Sequence, residues 1–404
     1  MKWEKVKLGD IATCIQPGPF GSQLHNSDYS KEGTPIIMPK DIVGGAIVHS
    51  GLLKVSEEHV KRLSRHQVYE GNLMVARKGD VRKCAYITAN ENGWMTGSDC
   101  LKVVLDESKC YPKFIYYQLR SEHIGRWLEK VSIGATMPSL NTGLLSGIEM
   151  VLPPIEIQKQ IAGILSTYDD LIENNQKQIK LLEEAAQRLY KEWFVDLNFP
   201  GHENTKIVDG VPEGWSIYPF SSKVDVMSGG TPKTSIPDYY NGKIPFYTPK
   251  DNDGAFFAYK TQMNITEGGL KNCNSRLYPP KTVIITARGT VGKTTILAVP
   301  MAMNQSCYAL KMKENDAPYY LFFALNNEIK ALQTMANGGV FNTIIGKTFD
   351  SINIQIPKDP LIYGFEETVR PFMEQIKNKL QANSKLVEAR DRLLPKLMSG
   401  EVEV

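Results

Sequence analysis

Hydrophobic residues follow two patterns, and both patterns occur twice along the chain. In the first, short runs rich in Val, Ile, Tyr and Phe are separated by Gly, Pro, Asn and Asp, as is typical of short strands joined by turns. These runs include residues 35–38, 73–76, 101–105, 282–286 and 352–356. Two segments at corresponding places, 113–130 and 318–335, predict helices within the strand-rich parts. Each part is therefore predicted to be α+β.

The second pattern predicts a long helix after each strand-rich part. Residues 155–194 contain one glycine, Gly163, and no proline, and apolar residues recur there at alternating spacings of three and four. The second such segment is 361–398, where we expect Pro395 to interrupt the helix. The apolar positions are Ile157, Ile161, Ile164, Tyr168, Leu171, Leu182, Ala185 and Leu189 in the first segment, and Phe365, Phe372, Ile376, Leu380, Leu386 and Leu393 in the second.

Each of these helices would span about 60 Å, which is more than one small domain can cover. We therefore expect the two helices to pack on each other as a coiled coil, the alternative being two separate surface helices. Asn175 and Gln178 interrupt the first apolar series. Such polar residues can fix the register and the partner of a coiled coil, or they can form a solvated kink.

Internal repeats indicate that the chain is a tandem duplication. The segment TPIIMPKDI (34–42) recurs as IPFYTPKDN (244–252), which places Lys40 over Lys250 and Asp41 over Asp251, 210 positions apart. The same offset places the loop around Gly79 over ARGTVGKT (287–294), and Arg77 pairs with Arg288 if one residue is skipped. The segments 146–154 and 350–358 end the two copies alike.

This repetition predicts four parts. They are a first globular domain (1–153), a first long helix (154–198), a second globular domain (199–357) and a second long helix (358–404). Trp3 and Trp215 mark the two beginnings.

Composition fits a soluble globular protein, with 42% hydrophobic and 23% charged residues in 404. No apolar run approaches the roughly 18 residues of a membrane span, so we expect a cytoplasmic protein. The six cysteines form no C-x-x-C pair, which predicts reduced packing residues and no metal site. A net charge of +3 is too small to identify a partner.

We find no recognisable catalytic site. ARGTVGKT (287–294) is similar to a phosphate-binding loop, but Ala287 replaces its first glycine, and the first copy has Arg82 where the second has Gly292. The six histidines form no cluster, and no hydrolase or dinucleotide motif is present.

The candidate binding residues lie in turns between the strands. Arg and Lys suit phosphates and the O6/N7 edge of guanine, whereas Asn and Gln suit adenine. The alternative for any of them is a solvated loop with structural salt bridges. The candidates for contact with DNA are Ser22, Gln23, Lys40, Asp41, Arg77, Lys78, Arg82, Lys83, Thr231, Lys233, Lys250, Asp251, Arg288, Lys293, Asn304 and Gln305.

Over essentially its whole length, the chain resembles the specificity subunit of type I restriction-modification systems. The resemblance rests on Leu8-Gly9-Asp10, on the repeated loops at 77–83 and 288–293, and on the Leu-Pro-Pro turn at 152–154 before Gln158 to Ile161. It implies two target-recognition domains, each reading one half of a split double-stranded DNA sequence. It also implies that two antiparallel coiled-coil helices join these domains in a pseudo-two-fold chain.

The resemblance further implies partners and cofactors outside this chain. Two modification subunits would bind S-adenosylmethionine and methylate adenine, and restriction subunits would use ATP and magnesium to translocate and cleave DNA. This chain itself would carry no cofactor, no metal and no membrane contact. The residues expected to bind partners are Gln158, Ile161, Leu171, Leu182, Leu189, Phe365, Leu386 and Leu393.

A second hypothesis stays open at this point. The chain could be a coiled-coil scaffold whose globular parts bind a protein or carbohydrate ligand. Duplex binding that weakens steeply with salt would favour DNA over this alternative.

Overall fold

The computed structural model describes residues 3–132, 138–335 and 344–404. The chain forms two compact units, the first made of residues 1–171 with 386–404 and the second of residues 172–385. Two long helices, Ile155–Phe194 and Asp359–Ser399, contribute residues to both units.

The strand-rich part of the first unit contains twelve strands and four short helices among its described residues. The strands are β1 (Glu4–Lys7), β2 (Ala12–Pro17), β3 (Tyr29–Ser30), β4 (Thr34–Ile37), β5 (Ile42–Val43), β6 (Ala46–Ile47), β7 (Leu53–Val55), β8 (Leu73–Ala76), β9 (Cys84–Tyr86), β10 (Met95–Thr96), β11 (Cys100–Leu105) and β12 (Glu149–Leu152). The helices are α1 (Glu57–Arg62), α2 (Pro112–Leu119), α3 (Glu122–Val131) and α4 (Thr142–Ser146), and the first long helix is α5.

The second strand-rich part repeats this composition. Its strands are β13 (Ile207–Val208), β14 (Val211–Pro212), β15 (Ser216–Pro219), β16 (Val224–Ser228), β17 (Tyr240–Tyr247), β18 (Phe257–Ala258), β19 (Asn264–Ile265), β20 (Val283–Thr286), β21 (Thr294–Leu297), β22 (Ala302–Met303), β23 (Cys307–Met312) and β24 (Asn353–Ile356). The helices are α6 (Phe220–Lys223), α7 (Glu267–Lys271) and α8 (Pro318–Met335), and the second long helix is α9.

Strand order confirms the α+β class and the tandem duplication. The main sheet runs β2-β11-β8-β9 in the first unit and β16-β23-β20-β21-β18 in the second. A smaller sheet in each unit contains a parallel pair, β4 with β10 and β17 with β22. In each part, an early strand pairs antiparallel with the last one, β1 with β12 and β15 with β24. These pairs bring β1 and β15 beside the residues that lead into a long helix.

β8 is entirely apolar and β20 is apolar except for Thr286, because both faces of each sheet are covered there. All four residues of β8 and of β20 are buried. In the first unit, Phe114 and Ile115 of α2 join the same core as Leu73 and Val75. In the second, Leu325 of α8 packs in the core that contains Val283. Continuous burial explains why these strands lack the alternation of a half-exposed strand.

The helix predicted over 113–130 is in fact two helices, α2 and α3. The break lies at Ser121, whose hydroxyl accepts a hydrogen bond from the Ile124 amide at 3.4 Å, while the Ser121 amide donates to the Gln118 carbonyl at 2.9 Å. A serine at this position starts a new helix because it satisfies an amide that has no partner in the preceding turn. The corresponding helix α8 is unbroken, as its sequence predicts.

The two long helices pack on each other antiparallel within each unit, but the predicted contact positions need correction. Leu165, Ile179 and Ala186 of α5 are buried, whereas Ile164 and Leu171 are 36% and 47% exposed. Two apolar series overlap in the sequence because Ile164–Leu165 and Leu171–Ile172 are adjacent pairs. Burial selects the series one position later, in which the heptad spacing continues to Ile179 and Ala186.

Polar residues lie within this contact and are paired. In the second unit, the side-chain Nδ2 of Asn175 donates to Asn383 Oδ1 at 2.8 Å, and Asn383 Nδ2 donates to the Ile172 carbonyl at 3.4 Å. In the first unit, the buried Arg390 binds Asp169, which also accepts from the Tyr117 hydroxyl at 2.7 Å. The interruption at Asn175 is therefore a specific helix-to-helix contact and not a kink.

Pro395 does not interrupt α9, contrary to expectation, and neither does Pro371. Both prolines are exposed, as is Asp391, whose carbonyl would otherwise accept the missing amide of residue 395. Water can satisfy a carbonyl on the solvent side of a helix, so the helix continues.

We predict an energetic coupling between Asn175 and Asn383. Either single change to leucine leaves a partly buried amide unpaired and should lower the free energy of unfolding by about 1–3 kcal/mol. The double change should recover much of this loss, and urea unfolding of all four proteins gives the coupling. The exposed pair Glu173–Lys177, 2.6 Å apart, is the control and should couple by less than about 0.5 kcal/mol. Additive effects of the two asparagine changes would contradict the prediction.

Each long helix also anchors the helix that covers its sheet, through a buried side chain near its start. In the first unit, Gln158 Oε1 accepts from the Tyr111 amide at 2.9 Å, and its Nε2 donates to the Pro153 carbonyl at 2.8 Å. In the second, Glu366 Oε1 accepts from the Tyr320 amide at 2.8 Å. Burial raises the pKa of Glu366 to about 7, against the opposing effect of the Tyr320 and Tyr319 amides. An amide and a carboxyl group thus perform the same task in the two units.

We predict that Glu366→Gln stabilises the protein near neutral pH. Because the pKa is about 4.5 when unfolded and about 7 when folded, the folded state binds more protons between these values, and stability falls as the pH rises through that window. Glutamine keeps the acceptor without a charge, so the variant should gain about 1–3 kcal/mol at pH 8 and little at pH 4.5. Urea unfolding across this range measures the difference. Glu367→Gln, on the exposed side, is the control, and an unchanged pH dependence in Glu366→Gln would refute the assignment.

Candidate nucleic-acid interface

In each unit, the candidate residues lie on loops that meet at one edge of the main sheet, which we call the loop edge. In the first unit, the Gly18 amide after β2 donates to the Cys100 carbonyl at 3.1 Å, and the Gly97 amide donates to the Ile37 carbonyl at 2.9 Å. Lys83 Nζ, before β9, donates to the Pro39 carbonyl at 3.0 Å. The loops 18–28, 38–41, 77–83 and 97–99 therefore adjoin one another.

The second unit forms its loop edge in the same way. The Gly229 amide donates to the Cys307 carbonyl at 3.4 Å, and the Asn304 amide donates to the Tyr247 carbonyl at 2.9 Å. The Pro-Lys-Asp turn lies beside the 287–293 loop, because a Cβ atom added to Gly289 would lie 3.9 Å from Pro249 Cβ. The repeated sequence segments thus occupy equivalent places.

Gly18 and Gly229 are required for a close approach between two segments of the chain's own backbone. A Cβ atom at Gly18 would lie 2.0 Å from the Gly97 carbonyl oxygen, and one at Gly229 would lie 2.2 Å from that of Asn304. No side chain fits at such distances. The two glycine-rich turns therefore hold the loop edge together.

The aspartates of the two Pro-Lys-Asp turns hydrogen-bond within the chain, while contact of these residues with DNA stays a prediction. Asp41 is 3% exposed, and its carboxylate accepts from the Met38 amide at 2.9 Å and from Lys40 Nζ at 2.7 Å. Asp251 accepts from the Thr248 amide and hydroxyl, both at 2.8 Å, and from the Gln262 amide at 2.7 Å. Carboxylates used in this way close a turn, and their charge would repel a phosphate.

The basic residues of the first loop edge are mostly engaged within the chain. Lys78 forms an ion pair with Asp99 at 3.0 Å, and Lys40 and Lys83 have the partners described above. Arg82 binds Glu122 and Glu129 of α3, and the hydrogen bond to Glu122 is the main cause that raises its pKa. Arg82 thus has the structural salt bridge that the sequence left open as an alternative.

The second loop edge carries basic residues with fewer partners. Lys233, Lys250, Arg288 and Lys293 are exposed, and within the described ranges none of them forms an ion pair. Their charges are therefore available to a phosphate backbone.

Arg77 and Arg288 are not equivalent, although the sequence comparison paired them. The Arg77 amide donates to the Asp99 carbonyl at 2.7 Å and its carbonyl accepts from Leu140 at 2.8 Å; Ala287 makes the same two contacts, with Ser306 at 2.7 Å and Ile344 at 2.9 Å. The skipped residue assumed in the comparison does not exist, so Arg288 stands in the place of Lys78. The first loop edge carries an arginine where the second has a buried alanine.

Polar candidates on the two edges also differ. Ser22 is exposed in the turn Gly21–Gln23, while Gln23 is partly buried. In the second unit, the Thr231 hydroxyl donates a hydrogen bond to Oε1 of the exposed Gln305. Asn304 is used locally, since its Oδ1 accepts from the Ser306 amide at 3.0 Å. Among Gln23, Asn304 and Gln305, Gln305 therefore has the most exposed side-chain amide.

Phe20 is not among the candidate residues that were predicted from the sequence. Its ring is 53% exposed, and the Arg77 guanidinium lies 5.5 Å from the ring centroid. An aromatic residue between two glycines in a loop, Gly-Pro-Phe-Gly, was the available signal.

The loop at 287–294 is not a phosphate-binding loop. It connects β20 to β21, which pair antiparallel, whereas a phosphate-binding loop leads into the N-terminus of a helix. Gly289 and Gly292 have positive φ angles of 81° and 82°, which glycine adopts more readily than other residues. The shape of the turn therefore accounts for both glycines. In the described residues, no group of three or more His, Cys, Asp or Glu side chains could hold a metal ion.

The residues expected to bind partner subunits lie mainly within the chain's own cores. Gln158, Ile161 and Phe365 are 1%, 1% and 0% exposed. Leu182 and Leu189 are partly buried against the core of the second unit, and Leu393 is partly buried against the core of the first unit. Leu386 is also partly buried. Leu171 alone among the eight is well exposed. Partner contact by these residues stays a prediction, and for the buried ones the observed contacts are internal.

Comparison with known proteins identifies the family. The sequence profile described as the type I restriction modification DNA specificity domain matches residues 1–184 and again residues 212–381. This chain belongs to the type I restriction-modification DNA specificity family. It is thus a specificity subunit, and the two matches fall on the two copies of the duplication.

Relatives cover the chain from end to end. The MjaIX specificity subunit of Methanocaldococcus jannaschii is 26% identical over all of this chain and 94% of that protein. The HindI specificity subunit of Haemophilus influenzae is 21% identical over 99% of both. The crystal structure of the S subunit from M. genitalium shares the fold, with a TM-score of 0.59 at 17% identity over 98% of this chain and 96% of that one. Among the helices in the described ranges, none combines the length and apolar composition needed to cross a bilayer.

We predict that Asp41 and Asp251 act on folding and not through direct contact with DNA. Asp41→Ala removes the acceptor for Met38 and Lys40 and should lower the free energy of unfolding by about 1–3 kcal/mol, with a similar loss for Asp251→Ala. Lys40→Ala, which removes only an exposed partner, should cost less than about 0.5 kcal/mol. Thermal unfolding compares the three. An Asp41→Ala protein that unfolds like the wild type but no longer binds DNA would reinstate the direct contact.

Proposed function

We propose that this specificity subunit reads an asymmetric, bipartite site in double-stranded DNA, with one loop edge for each half-site. The observation that carries the proposal is the repetition of the loop edge with different outward side chains. The first presents Arg77 and Phe20, and the second presents Gln305 and four exposed basic residues. Side chains that differ in this way would select different bases.

The positive residues of the second edge support binding to DNA in particular. Lys233, Lys250, Arg288 and Lys293 can each neutralise a phosphate, and phosphate contacts place a protein on the duplex without reading its sequence. Arg77 and Gln305 have the donors that suit guanine and adenine. The combination fits a duplex better than a neutral carbohydrate or a protein surface.

We further propose that this chain supplies the address for enzymes that it does not contain. Two modification subunits would bind S-adenosylmethionine and methylate adenine within the site, and restriction subunits would use ATP and magnesium. The complex would act in the cytoplasm. In this assignment the specificity subunit contributes no catalytic group and no cofactor site.

A methylation map tests the proposal. Expression of the chain with its modification subunits should produce adenine methylation in a split motif. Exchange of residues 1–153 for those of a relative should change one half of that motif and leave the other half intact. A map in which both halves stay the same after the exchange would refute the assignment of half-sites to units.

Binding by the purified complex provides an independent test. Affinity for a duplex that carries the motif should fall steeply with salt, with a slope of about −0.9 on logarithmic axes for each phosphate neutralised. A duplex with a scrambled motif is the control and should bind more weakly at every salt concentration. Absence of duplex binding at low salt would favour the scaffold hypothesis instead.

A further inference from the structure

Phe20 is placed where folding alone does not explain it. Burial of a phenylalanine side chain typically contributes about 1.5–3 kcal/mol, yet this ring is 53% exposed at the loop edge of the first unit. The backbone beneath it is fixed, because the Gly18 amide binds the Cys100 carbonyl at 3.1 Å and the Gln23 amide binds the Phe20 carbonyl at 3.3 Å. The chain therefore presents the ring to solvent from an anchored loop.

Arg77 shares this position and has unused donors. In the part of the chain that the structure describes, its guanidinium forms no ion pair and no side-chain hydrogen bond, and it lies 5.5 Å from the centroid of the Phe20 ring. Arg82, five residues later, is by contrast bound to Glu122 and Glu129. Contact with the ring restricts the Arg77 side chain and so reduces the entropy lost when it binds.

The second unit lacks this pair. Matching backbone hydrogen bonds place Gly18 with Gly229 and Arg77 with Ala287, so Thr231 takes the place of Phe20 and a buried alanine that of Arg77. The Phe20–Arg77 pair is therefore not part of what builds the loop edge, because the second edge forms without it.

We propose that Phe20 and Arg77 read two adjacent base pairs of the first half-site, Arg77 at a guanine and Phe20 at a thymine. The inference rests on the proposed function and names the bases for one edge. Arginine donates to the O6 and N7 atoms of guanine in the major groove. A phenyl ring has no donor for a phosphate, and the apolar group that it can cover at the base edges of the major groove is the C5-methyl of thymine.

Replacement of single thymines by deoxyuridine tests the Phe20 contact, because it removes only the methyl group. At one position in the first half-site, replacing thymine by deoxyuridine should weaken binding of the duplex to the wild-type complex about four-fold. This fold-change corresponds to about 0.8 kcal/mol for one buried methyl-sized group. Phe20→Ala should bind both duplexes equally, and Phe20→Leu should keep part of the preference. Thr231→Ala, at the equivalent place in the second unit, should keep all of it.

A second substitution in the DNA tests Arg77. Replacing the adjacent guanine by 7-deazaguanine removes the N7 acceptor, so it should weaken binding by the wild type but not by Arg77→Ala.

An unchanged melting temperature of Phe20→Ala would show that the exposed ring is not needed for folding.

The outcomes separate this inference from the proposed function. Specific, salt-dependent binding with no effect of deoxyuridine at any position would overturn the thymine contact and leave DNA recognition intact. A methylation motif whose first half contains no G·C pair next to an A·T pair would overturn it as well. Failure of the wild-type complex to bind any duplex at low salt would instead remove the proposed function.

Discussion

The close approach of two backbone segments at Gly18 and at Gly229 is the constraint on which each loop edge depends. At both positions, the carbonyl oxygen of a neighbouring strand end occupies the space that a side chain would need, at 2.0 Å and 2.2 Å from the hypothetical Cβ. This approach joins the loop after the first strand of the main sheet to the segment that carries Gly97 or Asn304. Without it, the outward residues on these loops would not share one surface.

Features that depend on local sequence could be predicted, whereas features that depend on contacts between distant segments could not. The duplication, the strand-rich parts and the long helices follow from periodicity and repetition, because local backbone preference and burial agree there. The contact face of α5 did not follow, since Ile164–Leu165 and Leu171–Ile172 satisfy two registers equally and only the partner helix distinguishes them. The break at Ser121 was missed for a similar reason, because serine is tolerated inside helices and caps them only when the chain turns.

Candidate site residues were harder to predict than elements. A repeated Pro-Lys-Asp segment is evidence that its residues matter, but repetition does not distinguish a turn that must close from a side chain that binds a ligand. The carboxylates of Asp41 and Asp251 accept hydrogen bonds within the turn, which favours the first class. Arg82 likewise has a side chain suited to DNA contact, but in the structure it forms a salt bridge with Glu122 of α3. Phe20 was overlooked because the Gly-Pro-Phe-Gly segment does not show by itself whether its aromatic ring is buried or exposed, and only the 53% exposure in the structure decides this.

These distinctions divide the loop edge into a framework and a reading surface. What the two units share is the framework: the glycine approach, the aspartate-closed turn and the paired strand ends. What differs is outward, with Phe20 and Arg77 on one edge and Thr231, Gln305 and exposed lysines on the other. A framework that holds without those side chains allows them to change at little cost in stability, because they make few internal contacts. Two copies of one fold can thus carry two different sequence preferences, and a change in one edge need not alter the other.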